Sequence, residues 1–195
     1  MKIERGVPSQ AKAVELVSRG FVQPVSQALI ADTRDHLHAG DFVYSATADD
    51  RLVGFAVFDE LPSKLLFVAG IMIDPAHQGE KVGRQMILKA KDQVSAEFLG
   101  LRTQSPRMWS AGRSICAEWY PNFDNGVLRF RLQAQAELIR ARLGPKYEYP
   151  VVESCYGGAL YGEKPTHREP SVQSWWDSIC NFARGDAVLC IGKFR

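Results

Sequence analysis

Residues 65–84 read LLFVAGIMIDPAHQGEKVGR, and this stretch decides the fold. Its first part, Leu65–Ile73, is apolar without alternation, which is typical of a central strand covered on both faces. Gly70 stands inside this strand and indicates a bulge or a close approach of backbone. The stretch therefore predicts a sheet with other elements packed on either side.

A strand-to-helix turn follows the apolar run. Asp74–Pro75 ends the strand, Gln78–Gly79 forms a short loop, and an amphipathic helix is predicted from Lys81 to about Phe98. Small residues in such a loop let backbone N–H groups converge, and the first N–H groups of the helix add to them. Because Lys81 and Arg84 add positive charge, the turn predicts a diphosphate site; the alternative is an ordinary strand-to-helix turn.

Turn signals and periodicity divide the rest of the chain into strands and helices. Upstream we expect the strands Lys2–Arg5, Asp41–Thr47 and Arg51–Phe58 and the helices Pro8–Gly20 and Ser26–Leu37. Downstream we expect the strands Phe98–Thr103, Tyr149–Tyr161 and Ala187–Phe194 and the helices Ser105–Trp119, Val127–Leu143 and Ser171–Ala183. This order predicts an α/β or α+β fold with a mixed sheet.

Some local expectations depend on single residues. Gly20 stands where a glycine commonly ends a helix, and Gly144–Pro145 is expected to end a later one. His36 and His38 are two positions apart, so they would not share a helix face. We therefore expect both histidines to face solvent and not to bind a metal together.

Composition narrows the class of protein. The chain has 195 residues, of which 46% are hydrophobic and 24% charged, as is typical of one globular domain. The net charge is only +2, which argues against a protein that binds nucleic acid by bulk charge.

The four cysteines form no CxxC pair, so they predict reduced thiols in a cytoplasmic protein and no metal site. The apolar run is too short to span a bilayer, and the first residues lack the apolar segment of a signal peptide. We therefore expect no membrane segment.

The turn after the apolar strand resembles the acetyl-CoA-binding motif of the GNAT superfamily of N-acetyltransferases. In that family the strand ends at a V-x-P step and is followed by Q/R-x-x-G-x-G/A and a helix. Gln78, Val82 and Gly83 match this motif, whereas Lys81 stands where the family usually has its middle glycine. If Lys81 keeps a helical φ the loop still offers its N–H groups; the alternative is weakened cofactor binding.

The resemblance covers roughly residues 1–120 by the order of elements. It implies a GNAT-like mixed, mostly antiparallel central sheet flanked by helices, in a single domain over residues 1–195. The core would be residues 1–120, and the atypical part 121–195 would contain helical insertions and complete the sheet.

The resemblance also implies acetyl-CoA as the cofactor. The pantetheine arm would pair with the backbone of the central strand, where an N–H group can also stabilise the oxyanion of the tetrahedral intermediate. For Ser105 the alternative to a pantetheine contact is a helix cap. The implied cofactor-binding residues are Ile71, Met72, Ile73, Gln78, Gly79, Glu80, Lys81, Val82, Gly83, Arg84 and Ser105.

Acetyl transfer to an amine needs a base for the ammonium and an acid for the leaving thiolate. Phe67 or Ala69 stands about where some family members place a glutamate. Glu60 or Asp59 is therefore the expected base; the alternative is that both are solvated turn residues. Tyr120, expected at the end of a helix, is the candidate acid; the alternative is a half-buried aromatic residue whose hydroxyl reaches water.

The implied function is an acetyl-CoA-dependent N-acetyltransferase that acts on a primary amine, small-molecule or peptide, by direct attack in a ternary complex. Two alternatives stay open: a non-catalytic acyl-CoA-binding or regulatory module, and an interaction protein without cofactor. No nucleic-acid or membrane partner is expected. Homodimerisation is common in the family, and the sequence leaves it open.

Overall fold

The structure is a computed structural model that describes residues 1–123, 128, 130–144 and 147–195. These residues form two compact units. Unit 1 comprises Met1–Glu60 and Val68–Ser95, and unit 2 comprises Leu61–Phe67 and Ala96–Arg195. The single domain over residues 1–195 stays a prediction.

Unit 1 contains the hairpin and the apolar strand that the sequence predicts. Its strands follow the order β1-β2-β3-β4, and β2 pairs antiparallel with both β1 and β3. The end of β3 and the beginning of β4 are assigned to unit 2. The elements are β1 (Lys2–Arg5), α1 (Gln10–Phe21), α2 (Gln27–Ala39), β2 (Phe42–Ala48), β3 (Arg51–Leu61), β4 (Leu65–Ile73), a 3-10 turn (Pro75–His77) and α3 (Val82–Val94).

The core of unit 1 is formed by apolar side chains of α1, α2 and the strands. Helix α1 approaches β4 so closely that a Cβ on Gly20 would collide with Sδ of Met72. The prediction that Gly20 ends the helix was therefore wrong: the glycine is needed for close packing, and Val22, at φ 55°, caps the helix instead. The core residues are Ala13, Leu16, Val17, Leu29, Leu37, Val43, Leu52, Phe55, Val57 and Met72.

Unit 2 is built around strand β8, which pairs antiparallel with β5, β6 and β7. The bounds predicted for β5 and β8 are confirmed, and helices α5 and α6 lie in the C-terminal part as expected. Val127 and Pro145, named above as helix boundaries, lie outside the described residues. The elements are β5 (Phe98–Thr103), α4 (Pro106–Ile115), β6 (Cys116–Tyr120), α5 (Phe130–Leu143), β7 (Val151–Val152), α6 (Pro170–Ile179) and β8 (Ala187–Phe194).

Residues 116–120 form a strand, so the helix predicted to reach Trp119 was wrong. Trp119 lies opposite Gly192 of β8, and its indole packs over Gly112, where a Cβ would collide with the ring. The spacing of these residues imitates a helix face, but the ladder to β8 satisfies the backbone of this segment. Tyr120 therefore ends a strand instead of a helix.

The strand predicted over Tyr149–Tyr161 was also wrong in most of its length, since only Val151–Val152 pairs with β8. Ser154 and Gly157 have positive φ angles, which turn the chain out of the extended conformation. The N–H of Ser154 donates to Asp186, so a side-chain hydrogen bond replaces the ladder at this point. The mixed, mostly antiparallel α/β fold is otherwise as predicted.

All four thiols are free: Cys116, Cys180 and Cys190 are buried and Cys155 is half-buried. Burial raises the pKa of Cys116 and of Cys180 to about 12, which keeps both protonated at neutral pH. Within the described ranges, no helix has the length and apolar character needed to cross a membrane. The same residues contain no group of three or more His, Cys, Asp or Glu side chains placed to hold a metal ion.

Candidate functional site

The site is built at the C-terminal end of β4. Asp74 ends the strand and accepts a hydrogen bond from the Ala76 amide at 3.0 Å, which starts the 3-10 turn. Gly79 follows at φ 96° and Lys81 at φ 63°, so the chain reverses direction before α3 begins at Val82. This local geometry places the first turn of α3 directly after the strand.

An ion pair to the buried carboxylate of Asp74 holds this turn. Oδ2 of Asp74 accepts hydrogen bonds from Nη2 of Arg19 at 2.9 Å and from Nε at 3.1 Å, and Nη2 of Arg51 lies at 3.5 Å. Burial alone would raise the pKa of Asp74, but the hydrogen bonds of Ala76 and Arg19 and the charges of Arg19 and Arg51 lower it below its ordinary value. The carboxylate therefore stays charged at neutral pH and holds the turn in place.

The beginning of α3 presents backbone donors without acceptors. No residue in the described part of the chain accepts a hydrogen bond from the amides of Val82, Gly83 or Arg84, nor from those of Gly79 and Lys81. The first amides of a helix have no partner inside the helix and carry its positive dipole end. Together with two cationic side chains, they suit a doubly charged anion.

Lys81 does not keep the helical φ that was expected of it. Its backbone is left-handed, with φ 63° and ψ 18°, a conformation that glycine adopts without strain. Lys81 thus takes the conformation suited to the glycine that the motif usually has there. The lysine side chain is exposed, and its charge adds to the positive field of the turn.

Glycines on α3 and β3 let these neighbours pack closely against β4. A Cβ on Gly83 would lie 3.1 Å from Cδ1 of Ile71, and a Cβ on Gly54 would lie 2.9 Å from Cδ1 of Ile73. Gly83 therefore lets the beginning of α3 lie against the strand, while Met72 points the other way, into the core below α1. Nε2 of the Gln78 side chain donates to the carbonyl of Ile73 at 3.4 Å and ties the loop to the strand end.

The alternation of β4 breaks next to Gly70. Ala69 and Met72 both pack on the core of α1 and α2, although residues three apart in a regular strand face opposite sides. Gly70 faces α2, because a Cβ there would lie 3.2 Å from Cδ2 of His36. This fits the bulge or close backbone approach that the glycine indicated. His36 is half-buried: its ring contacts the strand, yet 44% of its side chain is exposed, so the prediction that it faces solvent holds in part; His38 is exposed as predicted.

Glu60 and Asp59 lie inside β3, near its end, and their environments differ. Asp59 has only 3% of its surface exposed, so the alternative reading of a solvated turn residue is wrong for it. Glu60 is exposed, and its amide donates to Oδ2 of Asp41 at 2.8 Å. The strand runs further than the sequence suggests, and the side chain of Asp41 accepts the hydrogen bond of the Glu60 amide near its end.

Tyr120 and Ser105 lie in unit 2. The ring of Tyr120 stacks on that of Tyr149, with centroids 5.5 Å apart and planes 14° from parallel. Burial raises the pKa of Tyr120, so the phenol stays protonated beyond its ordinary range. Ser105 precedes α4 as a cap residue would, but its hydroxyl makes no capping hydrogen bond; its amide donates to Oγ1 of Thr103 at 2.9 Å.

The structure thus brings together the end of β4, Ile71–Ile73, and the turn that follows it, Gln78–Arg84. Glu60 lies in the same unit. Sequence reasoning missed three residues of this region: Arg19, Arg51 and His36. The first two are distant in sequence from Asp74, and no motif points to them. For His36, the pairing with Asp32 at i and i+4 was a readable signal.

Comparison with known proteins gives a family match. A family model described as "Acetyltransferase (GNAT) family" matches residues 11–109. None of the curated proteins compared with the chain matches it.

Several solved structures share the fold. The ribosomal-protein-S18-alanine N-acetyltransferase of Escherichia coli is 13% identical, with a TM-score of 0.51 over 99% of this chain and 93% of that one. An aminoglycoside 6'-N-acetyltransferase complexed with coenzyme A is 10% identical, with a TM-score of 0.53 over 99% and 97%. The aminoglycoside 6'-N-acetyltransferase of Enterococcus faecium is also 10% identical, with a TM-score of 0.52 over 99% and 97%. Because the sequence identities are only 10–13%, these comparisons show that the fold is similar and nothing more.

Proposed function

The chain belongs to the GNAT family of acetyltransferases, since the matched residues 11–109 span half of its 195 residues, and on that premise we propose that it transfers the acetyl group of acetyl-CoA to a primary amine. The cofactor proposal is supported by one observation above all. The amides of Gly79 and of residues 81–84 have no acceptor among the described residues and lie next to two cations. A diphosphate has the charge and the acceptor oxygens that such a turn binds.

The proposed position of acetyl-CoA follows from the order of the two elements, since the turn that would bind the diphosphate comes directly after β4. With its diphosphate on the turn after Ile73, the pantetheine arm would run back along β4 towards Ile71. Strand residues rise about 3.3 Å each, so the arm can pair with backbone groups of Ile71–Ile73. The acyl end would then lie near Gly70 and Ile71, where a backbone N–H would stabilise the oxyanion. Glu80, Val82 and the other residues of the motif would line the diphosphate end.

The overall reaction would convert acetyl-CoA and an ammonium into an amide, the free thiol of CoA and one proton. The amine must first lose a proton, because a protonated nitrogen has no lone pair for attack on the carbonyl carbon. Glu60, through water, is the base proposed from the sequence, with Asp59 as its neighbour. Tyr120 is the acid proposed for the thiolate, and Ser105 is a further proposed contact of the pantetheine.

The acceptor is proposed only as a class. The similar structures are named for an alanine of a ribosomal protein and for aminoglycosides, both of which present amines. A small-molecule or peptide amine is therefore the class we propose for this chain. We further propose a cytoplasmic location, to which the four free thiols are suited; a homodimer is the proposed assembly.

A second candidate function is a non-catalytic acyl-CoA-binding module. It is favoured by the lack of a proton acceptor at Phe67 and Ala69, and by the lysine in place of the motif's middle glycine. Both functions require binding of acetyl-CoA, so turnover distinguishes them.

The experiment combines calorimetric titration of acetyl-CoA with an assay for CoA release over a panel of primary amines. Binding with turnover of at least one amine is the expected result. Binding without turnover of any amine would support the second candidate, and no binding would contradict both. Unchanged pH–rate profiles of Glu60→Gln and of Asp59→Asn would remove these carboxylates from the base role.

A further inference from the structure

An imidazole lies against β4 at the position where the strand itself offers no base. A Cβ on Gly70 would be 3.2 Å from Cδ2 of His36 on α2. Nε2 is bonded to Cδ2 and lies more than 4 Å from that Cβ position, so the carbon edge of the ring faces the strand. The side chain of His36 is 44% exposed, so the ring is open to a ligand on one side.

A carboxylate lies one helical turn before this imidazole. Nδ1 of His36 lies 3.5 Å from Oδ1 of Asp32. Among the described residues, this carboxylate is the charged group that pairs with the ring. A carboxylate at this nitrogen favours the tautomer with the proton on Nδ1. The lone pair of Nε2 is then left to accept a proton from a ligand. Strand β4 places no charged side chain against the ring of His36, because the strand residue that faces the ring is Gly70.

The place where His36 contacts the strand is also where the proposed function puts the acyl carbon. With the diphosphate on the turn at Gly79–Arg84, the pantetheine arm would run from Ile73 back to Ile71. One more residue along the strand is Gly70, about 3.3 Å further. An amine that attacks the thioester from the side of α2 would come within reach of the imidazole.

We propose that His36, with Asp32 beside its Nδ1, takes the place of Glu60 as the base that deprotonates the acceptor amine; this inference rests on the proposed acetyltransferase function. Nε2 takes one proton from the ammonium, and the nitrogen lone pair forms a C–N bond to the thioester carbonyl carbon. The C–S bond then breaks, and its electron pair leaves with sulfur. The thiolate takes a proton from Tyr120, the acid proposed above, which recovers the second proton that the amine nitrogen loses, and the imidazolium returns its proton to water.

The test uses His36→Gln and His36→Ala with acetyl-CoA and the amines that the unaltered protein turns over. We expect kcat to fall by about 10²–10⁴-fold, the usual contribution of a general base, with the affinity for acetyl-CoA unchanged. The acidic limb of the pH–rate profile should disappear, and added imidazole should restore part of the activity of His36→Ala. His38→Gln, an exposed histidine on the same helix, is the matched control and should keep full activity.

A second variant leaves the base in place. Gly70→Ala puts a methyl group against the ring, so it should lower kcat several-fold without changing the affinity for acetyl-CoA, since small displacements of a reacting group are costly. Full activity of folded His36→Gln, or loss of the acidic limb in Glu60→Gln instead, would overturn the role of His36. If the unaltered protein binds no acetyl-CoA, or turns over no amine, the proposed function itself fails and the base role fails with it.

Discussion

Arg19 donates two hydrogen bonds to Oδ2 of Asp74, at 3.1 Å from Nε and 2.9 Å from Nη2, and so ties α1 to the turn that leads to the anion site. The carboxylate is only 5% exposed. The turn therefore depends on an ion pair between residues that are 55 positions apart in the chain.

Asp74→Asn should destabilise the protein, because it removes the charge that Arg19 and Arg51 face. Charge-assisted hydrogen bonds at a buried site suggest a loss of about 2 kcal/mol in the free energy of unfolding. Urea unfolding at pH 7 measures this change. Asp35→Asn, which removes an exposed carboxylate paired with Arg34, is the control and should change the stability by less than about 0.5 kcal/mol. Equal effects of the two variants would contradict the role of Asp74.

The same pair predicts a pH dependence. The pKa of Asp74 in the folded protein is below its ordinary value of 3.8, so the unfolded chain takes up a proton first as the pH falls. The stabilisation that the charged Asp74 contributes is fully present above pH 3.8. It is lost as the pH falls from 3.8 through the lower pKa that Asp74 has in the folded protein. The stability difference between the unaltered protein and Asp74→Asn should therefore narrow below about pH 4. A difference that stays constant down to pH 2 would contradict this assignment.

Lys81→Gly should stabilise the protein by about 1 kcal/mol, because glycine adopts the left-handed backbone of residue 81 without strain. This figure already subtracts the extra conformational entropy that glycine gives the unfolded chain. Lys81→Ala keeps the strain and is the matched control. Both variants remove one charge from the turn, so both should weaken acetyl-CoA binding by about fivefold. Thermal unfolding and calorimetric titration separate the two effects. A lower melting temperature for Lys81→Gly would show that the conformation is not strained.

Arg84→Ala should weaken acetyl-CoA binding by about tenfold through the loss of a cation at the diphosphate. Lys89→Ala removes an exposed charge from the same helix and should have little effect. Acetyl-pantetheine, which lacks the diphosphate, gives a second comparison: its affinity should be the same for Arg84→Ala and the unaltered protein. If Arg84→Ala weakens both ligands equally, Arg84 does not act on the diphosphate.

Tyr120→Phe tests the proposed acid. Burial raises the pKa of Tyr120, so the phenol is available as a proton donor throughout the neutral range. Turnover should fall by about 10²-fold while acetyl-CoA binding stays constant. Tyr149→Phe keeps the stacked pair of rings and removes a buried hydroxyl that has no partner among the described residues, so it should leave turnover intact. Full turnover of Tyr120→Phe would remove the acid role.

The elements that the sequence predicted well are those whose signal is local. Leu65–Ile73 is apolar on both faces, and Ala187–Phe194 is bounded by a clear turn; both strands have their predicted bounds. The turn between β4 and α3 was also predicted, because the order of loop glycine, cation and amphipathic helix lies within a short stretch of chain.

The errors have a common cause, which is packing between residues distant in sequence. Gly20 looks like a helix end, but it is the point where the side chain of Met72 packs closest to α1. Trp119 has the spacing of a helix face, yet β8 pairs with its backbone. The contact of His36 with β4 was not predicted, because nothing near it in sequence shows that Gly70 leaves room for its ring.

The most direct measurement follows the backbone amides of the isotope-labelled protein by NMR during titration with CoA. The largest chemical-shift changes should fall on Gly79 and on Lys81–Arg84, with further changes along Ile71–Ile73. Saturating CoA that leaves these amides unchanged, while shifting others, would contradict the assignment of the turn as the diphosphate site.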